Sequence, residues 1–191
     1  MAQRLPRIVD PKQIPVVGVD DHLPALPPDR LAETAVRERF AQPRQWVPEF
    51  RGDGGRFLVD REPMPASVLI PLVQRDDGLR VLLTRRTAHL RDHAGQISFP
   101  GGRAEDSDVG PVHTALRETE EEVGLAREHV QGLGELSTYT TVTSYRVTPI
   151  VALVQPGFTL ALDAFEVEEA FEVPLQFLMT PAHHRRHEME W

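Results

Sequence analysis

A helix is predicted over residues 111–124, and it is the feature that most constrains the fold. Proline favours the first turn of a helix, here Pro111, and glycine favours the position after the last turn, here Gly124. At about 100° per residue, a stripe with the spacing i, i+3, i+4, i+7 and i+11 lies on one face and can pack on a core. Its members are Val112, Ala115, Leu116, Thr119 and Val123. The rest of the chain must therefore provide an apolar layer for this face.

Four carboxylates lie within five residues of the same helix: Glu118, Glu120, Glu121 and Glu122. Glu120 points elsewhere, whereas the other three share an arc beside the core stripe. Like charges at i,i+4 destabilise an exposed helix by a few tenths of a kcal/mol per pair. One interpretation is a solvated acidic face. The other is a site for Mg²⁺ or Mn²⁺, which binds through carboxylate oxygens and substrate phosphates, and the spacing alone leaves both open.

Apolar and β-branched runs predict the layer under the helix. Residues 66–73 and 79–84 form a predicted hairpin around the turn at 76–78. Further strands are predicted at 96–99, 135–142 and 146–154, and a weaker one at 158–162; residues 166–179 are ambiguous. Several strands around one strong helix favour a mixed α/β sandwich.

Composition limits the domain organisation and the function classes. The 191 residues fit one domain, predicted at 64–191, preceded by a proline-rich arm at 1–63 that carries a short helix ending near Phe40. The absence of cysteine excludes disulfides and a thiol nucleophile. A net charge of −8 argues against nucleic acid as a partner, and the sequence has no apolar run of membrane-spanning length. We expect a cytoplasmic protein with no membrane or nucleic-acid partner; a homodimer is left open.

The sequence around the acidic helix, GGRAEDSDVGPVHTALRETEEEVGL (101–125), closely resembles the Nudix box. The matching residues are Gly102, Arg117, Glu118, Glu121, Glu122, Gly124 and Leu125. Three positions depart from the pattern: Asp108 replaces a glutamate, eight residues rather than seven separate Asp108 from Arg117, and Thr119 occupies an apolar position. None of these departures removes a carboxylate of the helix.

The segment immediately upstream, LLTRRTAHLRDHAGQISFPGG (82–102), resembles the signature of Nudix coenzyme A pyrophosphatases. The residues in register are Leu82, Leu83, Thr84, Arg86, Arg91, Gly95, Phe99, Pro100, Gly101 and Gly102. Residues 140–151 and 166–175 also resemble this branch. The resemblance covers about 64–179 and omits the arm. Members of the branch usually continue beyond a point like Trp191 with a last strand and helix, so the predicted domain lacks these elements.

The resemblance implies a Nudix-like α/β/α sandwich of α+β type, with a mixed sheet and one central catalytic helix at about 111–124. It implies Mg²⁺ or Mn²⁺ held by Glu118, Glu121 and Glu122, with Arg117 orienting these carboxylates. Glu166, in preference to Glu169, is expected to provide a late carboxylate, and either Glu118 or Glu166 to act as the general base. The residues expected to bind substrate are Arg86, Arg91, Gly101 and Gly102.

The implied reaction is hydrolysis of coenzyme A or a derivative to 3′,5′-ADP and 4′-phosphopantetheine, with Arg86 or Arg91 reading the charged groups of the substrate. Two alternatives stay open. One is a Nudix hydrolase of another nucleoside diphosphate derivative, such as ADP-ribose or a dinucleotide. The other is a Nudix module that binds a nucleotide without cleaving it. A separate histidine run at 183–187 resembles a metal-binding motif, but its highly charged setting favours a surface tail.

Overall fold

The structure, a computed structural model, describes residues 14–43, 46–48, 50–53, 62–90 and 93–188. Its helices are α1 (Glu33–Ala41), α2 (Pro111–Val123) and α3 (Leu175–Leu178). Its strands are β1 (Val16–Val19), β2 (Met64–Arg75), β3 (Gly78–Arg86), β4 (Ile97–Ser98), β5 (Gly101–Arg103), β6 (Val130–Glu135), β7 (Tyr139–Thr140), β8 (Tyr145–Val154), β9 (Val167–Pro174) and β10 (Arg185–His187).

Within the described ranges, eight strands form one mixed sheet. β2 is its centre: it pairs with β8 in parallel along one edge, and with β5 and then β3 in antiparallel along the other. β3 continues the sheet to β9 and β4, and β8 continues it to β6 and β7. The parallel pair requires a crossover connection, and α2 lies on that connection, so it is held against the middle of the sheet.

Both faces of the sheet are covered, because consecutive side chains of a strand point to opposite sides. Leu69 and Ile150 pack with Ala115 of α2 on one face. On the other face, Leu72 and its neighbours pack against α1 and α3. The result is three layers, helix, sheet and helices, which confirms the predicted mixed α/β sandwich.

The predicted hairpin of residues 66–73 and 79–84 is confirmed as β2 and β3, and the helix over 111–124 as α2. The strand predicted at 135–142 is wrong: β6 ends at Glu135 and only Tyr139–Thr140 pair again. β6 contains two glycines, which weaken a strand signal, and pairing with β8 overrides that weakness. The strand predicted at 158–162 is also wrong. Phe158 and Leu160 pack their side chains on the core without strand pairing.

The arm contributes more than an extended segment. After a 3₁₀ turn at Pro28–Leu31, α1 places Val36 and Phe40 against the sheet. β1 pairs with β10 in a separate two-stranded sheet, an element that the sequence does not predict. Across the described ranges, no helix is both long enough and apolar enough to cross a membrane.

Candidate active site

The buried arc of α2 includes a carboxylate. Its buried residues are Thr114, Ala115, Thr119, Glu122 and Val123. Placing Val112 in the core was wrong, since that side chain is exposed: it shares the angular arc of the buried residues but lies in the first turn of α2, and burial begins only at Thr114. The hydroxyl of Thr119, the polar departure from the family pattern, donates to the carbonyl of Ala115 at 2.6 Å and so introduces no unsatisfied group.

Arg117 is the centre of an ion-pair network at the start of the site. Its guanidinium donates to both oxygens of Asp108, at 3.1 and 2.9 Å, and lies 3.1 Å from Glu118 and 2.9 Å from Glu121. These pairs raise the pKa of Arg117 and keep it charged, chiefly through Asp108. Arg117 is thus placed to orient two of the three predicted metal ligands.

Asp108 is the residue of this network whose role the sequence analysis missed. Its carboxylate is nearly fully buried and also accepts hydrogen bonds from the backbone N–H of Glu105, from Thr114 and from the ring of His113. These bonds, above all the one from Arg117, hold its pKa well below the usual range. The extra residue between Asp108 and Arg117 therefore still lets the two side chains meet. The signal in the sequence was the place of Asp108 at the acidic position of the family pattern, but spacing along the chain does not show that it meets Arg117.

Glu118 and Glu121 differ in their surroundings although both contact Arg117. The side chain of Glu118 is mostly buried, and this desolvation raises its pKa. Glu121 remains largely exposed. Beside Glu118 lies an open cleft of about 630 Å³, whose walls are formed by Arg103, Ala104, Glu105, Asp106, Ser107 and Glu118. A ligand in this cleft would have direct access to the Glu118 carboxylate.

Glu122 lies deeper than the other carboxylates. One of its oxygens accepts a hydrogen bond from the N–H of Gly101 at 3.0 Å, and the other is 3.6 Å from the guanidinium of Arg86. Burial dominates over these two favourable contacts and raises its pKa to about 7. A carboxylate kept in such a position gains most from a cation, because the cation compensates the lost hydration.

Arg86 links Glu122 to Glu166. Its guanidinium lies 3.9 Å from the Glu166 carboxylate, while its Nε is buried and has no hydrogen-bond partner among the described residues. Glu169, the alternative late carboxylate, points to a different arginine and pairs with Arg85 at 2.8 Å. The geometry thus brings Glu166, and not Glu169, to the carboxylates of α2.

The loop before β9 fixes Glu166 relative to the helix. The N–H of Ala161 donates to the carbonyl of Val123, and the N–H of Asp163 to the carbonyl of Glu122, both at 2.9 Å. These carbonyls belong to the last turn of α2, where the helix itself has no N–H group left to donate to them. Gly124 ends the helix with φ 68°, and any side chain on it would meet the backbone of Ala161.

The two glycines predicted to bind substrate have different structural duties. Gly101 has φ 148°, and a Cβ there would meet the backbone of Ser67 and Val68 in β2. Gly101 is therefore required for the sheet itself. A Cβ on Gly102 would instead meet the carboxylate of Glu118. Gly102 therefore leaves the space that this carboxylate occupies.

Replacing Gly102 with alanine is expected to weaken Mn²⁺ binding by about 10–100-fold, the usual effect of disturbing the support of a metal ligand. The protein should still fold, because the atom displaced is the end of a side chain and not backbone. Titration calorimetry with MnCl₂ measures the effect. The matched control is Gly132→Ala, where an added Cβ meets nothing within 4 Å. An unchanged Mn²⁺ dissociation constant for Gly102→Ala would contradict the role given to Glu118.

The donor set fits a hard divalent cation, although the carboxylates are not drawn together as a closed cage. Among the described residues, no three acidic or histidine side chains lie close enough together to hold an ion. Instead Arg117 neutralises Glu118 and Glu121, and Arg86 lies beside Glu122. Two of these carboxylates are buried with raised pKa values, and their oxygens are the ligands that Mg²⁺ and Mn²⁺ prefer. Their assignment as ligands stays a prediction.

Metal-free protein is expected to lose stability as pH rises from about 4.5 to 7. The pKa of Glu122 is 4.5 in its ordinary state and about 7 in the fold, so the folded state binds more protons in this window, and ionisation above it is unfavourable to folding. At roughly 1.4 kcal/mol per pKa unit, the loss is about 3 kcal/mol. Urea unfolding in EDTA at pH 5 and pH 8 measures it. Glu122→Gln should remove most of the difference; parallel pH profiles for the two proteins would contradict the assignment.

Two other predictions concern Arg91 and the histidine run at 183–187. Arg91 lies outside the described residues. The three histidines of the predicted surface tail do not converge: His183, His184 and His187 contact the carbonyls of Phe177, Leu178 and Ile14, respectively. Their ring nitrogens are therefore engaged with backbone groups in three places, which argues against a shared metal ion.

Solved structures of low sequence identity have the same fold. The structure of an Ap4A hydrolase of C. elegans in a binary complex superposes with a TM-score of 0.52 and 18% identity, over 62% of this chain and 86% of that one. RenU, a Nudix hydrolase of M. smegmatis, gives a TM-score of 0.52 and 19% identity, over 64% of this chain and 77% of that one. These similarities establish the fold alone.

The sequence relatives have a higher identity to this chain than these solved structures. NudL of Photorhabdus laumondii, an uncharacterized Nudix hydrolase, is 48% identical over 129 residues, covering 63% of this chain and 68% of that protein. NudL of Escherichia coli K12 is 46% identical over 124 residues, and the match covers 63% of this chain and 64% of that protein's length. The family profile of the NUDIX domain matches residues 63–189, and the chain therefore belongs to the NUDIX domain family.

Proposed function

We propose that the protein hydrolyses the phosphoanhydride bond of coenzyme A or its derivatives in the presence of Mg²⁺ or Mn²⁺. The products are 3′,5′-ADP and 4′-phosphopantetheine. Membership of the NUDIX domain family supports the reaction class. The resemblance of residues 82–102 to the coenzyme A pyrophosphatase signature supports the substrate.

One observation carries the proposal: this signature segment brings Arg86 between Glu122 and Glu166. The guanidinium lies 3.6 and 3.9 Å from the two carboxylates, beyond normal hydrogen-bond length. It therefore has N–H groups available for an anion, and arginine binds phosphate oxygens through paired, charge-assisted hydrogen bonds. A phosphate at this point would lie beside Glu122, a predicted metal ligand, and Glu166, the expected late carboxylate.

Each residue then has a distinct task. Glu118, Glu121 and Glu122 would hold the ion, and Arg117 keeps two of them oriented. When bound, Mg²⁺ or Mn²⁺ supplies neutralisation of the phosphate charge and activation of water. Arg86 holds the diphosphate, and Gly102 leaves the space that the Glu118 carboxylate occupies beside it.

Hydrolysis breaks the bond between one phosphorus and the bridging oxygen. Water attacks that phosphorus in line, and its oxygen stays on the new phosphate. Glu166 accepts a proton from the attacking water as general base, and the bridging oxygen leaves on the second phosphate. Glu166 suits this role better than Glu118, because its carboxylate is partly exposed and none of its contacts is a short ion pair.

The test is a comparison of kcat/KM for coenzyme A, 3′-dephospho-coenzyme A and ADP-ribose with Mg²⁺ or Mn²⁺. Coenzyme A should be preferred. Arg86→Ala should lower kcat/KM on both coenzyme A substrates alike, by about 10–150-fold, because its position favours the diphosphate over the 3′-phosphate. Arg85→Ala is the matched control, since Arg85 pairs with Glu168 and Glu169 away from the site.

Three outcomes would change the proposal. A preference for ADP-ribose over coenzyme A would overturn the substrate and leave the reaction class. A loss confined to coenzyme A in Arg86→Ala would assign Arg86 to the 3′-phosphate. Nucleotide binding without any cleavage would favour a non-catalytic module.

A further inference from the structure

Phe165 exposes an aromatic ring next to the candidate site. The residue is 63% exposed. The ring contacts the imidazole of His89, with centroids 4.9 Å apart and planes inclined at 58°. Single exposed apolar residues are common on protein surfaces, so exposure alone gives this pair no function. What matters is where the pair lies relative to the candidate site.

The ring is presented by a rigid backbone. The carbonyl of Phe165 accepts a hydrogen bond from the hydroxyl of Thr87 at 2.7 Å, and its N–H donates to the side chain of Asp163 at 2.9 Å. Thr87 is itself buried. The first bond ties the backbone of Phe165 to the end of β3, and the second closes a short turn within its own loop, so the backbone that carries the ring is held in place.

The same bonds place the ring at the edge of the phosphate-binding region. Thr87 directly follows Arg86, and Phe165 directly precedes Glu166, the partner of Arg86 at 3.9 Å. The backbone N–H of Thr87 also donates to the carbonyl of Glu166 at 3.0 Å. An anion on Arg86 would therefore lie near the backbone that carries this exposed ring.

We propose that Phe165, backed by His89, is the platform on which the nucleobase of the substrate stacks. This inference rests on the proposed function, because it takes the diphosphate to lie at Arg86. A nucleobase offers a planar π-face that stacks on an aromatic side chain, and such stacking tolerates different bases. The platform would thus bind the adenine end of an ADP-containing substrate, while the acidic helix faces the diphosphate.

The experiment compares two probes, ADP and inorganic pyrophosphate, each titrated in the presence of Mg²⁺ by calorimetry. Phe165→Ala should raise the dissociation constant of ADP about 5–100-fold, the usual range for losing a base–aromatic stack, and leave that of pyrophosphate unchanged. Phe165→Trp should restore ADP binding. The control is Phe177→Ala, since Phe177 is also an exposed phenylalanine stacked on a histidine, but lies beyond the opposite end of β9.

The outcomes separate this inference from the proposed function. Unchanged ADP binding in Phe165→Ala, or an equal loss for both probes, would overturn the platform. If the wild type cleaves no nucleoside diphosphate derivative, the proposed function fails, while the ratio of the two dissociation constants still decides on the platform.

Discussion

Glu122→Gln is expected to lower kcat for Mg²⁺-dependent hydrolysis by about 10²–10⁴-fold, because a cation's charge stabilisation is worth several kcal/mol and each 1.36 kcal/mol is tenfold in rate. Glutamine keeps the shape of the side chain and an oxygen for the N–H of Gly101, so the fold should survive. In the absence of metal the variant should be at least as stable as wild type, since a buried charge is removed. The measurement is steady-state kinetics at saturating Mg²⁺, with a urea unfolding curve for each protein.

The chain offers a matched control on the same helix. Glu120 is exposed and pairs with Arg127 at 2.9 Å, away from the site, so Glu120→Gln should leave kcat nearly unchanged. Glu121→Gln, on the exposed side of the predicted ligand set, should lose activity as Glu122→Gln does. Near-normal turnover of Glu122→Gln at saturating Mg²⁺ would show that Glu122 is not a metal ligand.

The second large effect is expected at Glu166. Glu166→Gln removes the group proposed to accept the proton, and general bases contribute about 10²–10⁴-fold to rates. The loss should appear in kcat with little change in KM, because glutamine still fills the space beside Arg86. A purely structural role would instead be expected to change KM as well as kcat, because the position of Arg86 would shift.

Glu169→Gln is the control for this prediction. Glu169 lies three residues further on, and it pairs with Arg85. Its replacement should leave both kcat and KM close to wild type. Loss of activity in Glu169→Gln, with Glu166→Gln active, would reverse the assignment of the late carboxylate.

Sequence patterns identified the parts of the fold that depend on local signals. The helix at 111–124 has a proline start and a glycine end, and the β2–β3 hairpin has an acidic turn between apolar runs. β6 and β10 carry no such signal. β6 contains glycines and β10 is a charged tripeptide, and both exist only because a distant strand, β8 or β1, offers its hydrogen bonds.

The site was predictable in identity but not in arrangement. The resemblance selected the carboxylates, whereas helix geometry placed Glu118, Glu121 and Glu122 on one common arc. In the structure, Glu118 and Glu121 contact Arg117. Glu122 instead contacts Arg86 and the N–H of Gly101. The role of Asp108 and the exposure of Phe165 depend on hydrogen bonds between loops, and the spacing of residues along the chain does not predict these bonds.

The hydrogen bonds between the loop before β9 and the end of α2 limit how this region can vary in length. Ala161 and Asp163 must arrive in register with the carbonyls of Val123 and Glu122. The carbonyl of Asp163 also accepts hydrogen bonds from the N–H groups of Glu166 and Val167, so the segment from Asp163 to Val167 has no room for an insertion. Gly157 has open space around it, and extra residues could enter there without moving Glu166. Related chains can therefore differ in length around Gly157, and with it in the rim of the site, while the segment from Asp163 to Val167 keeps one length.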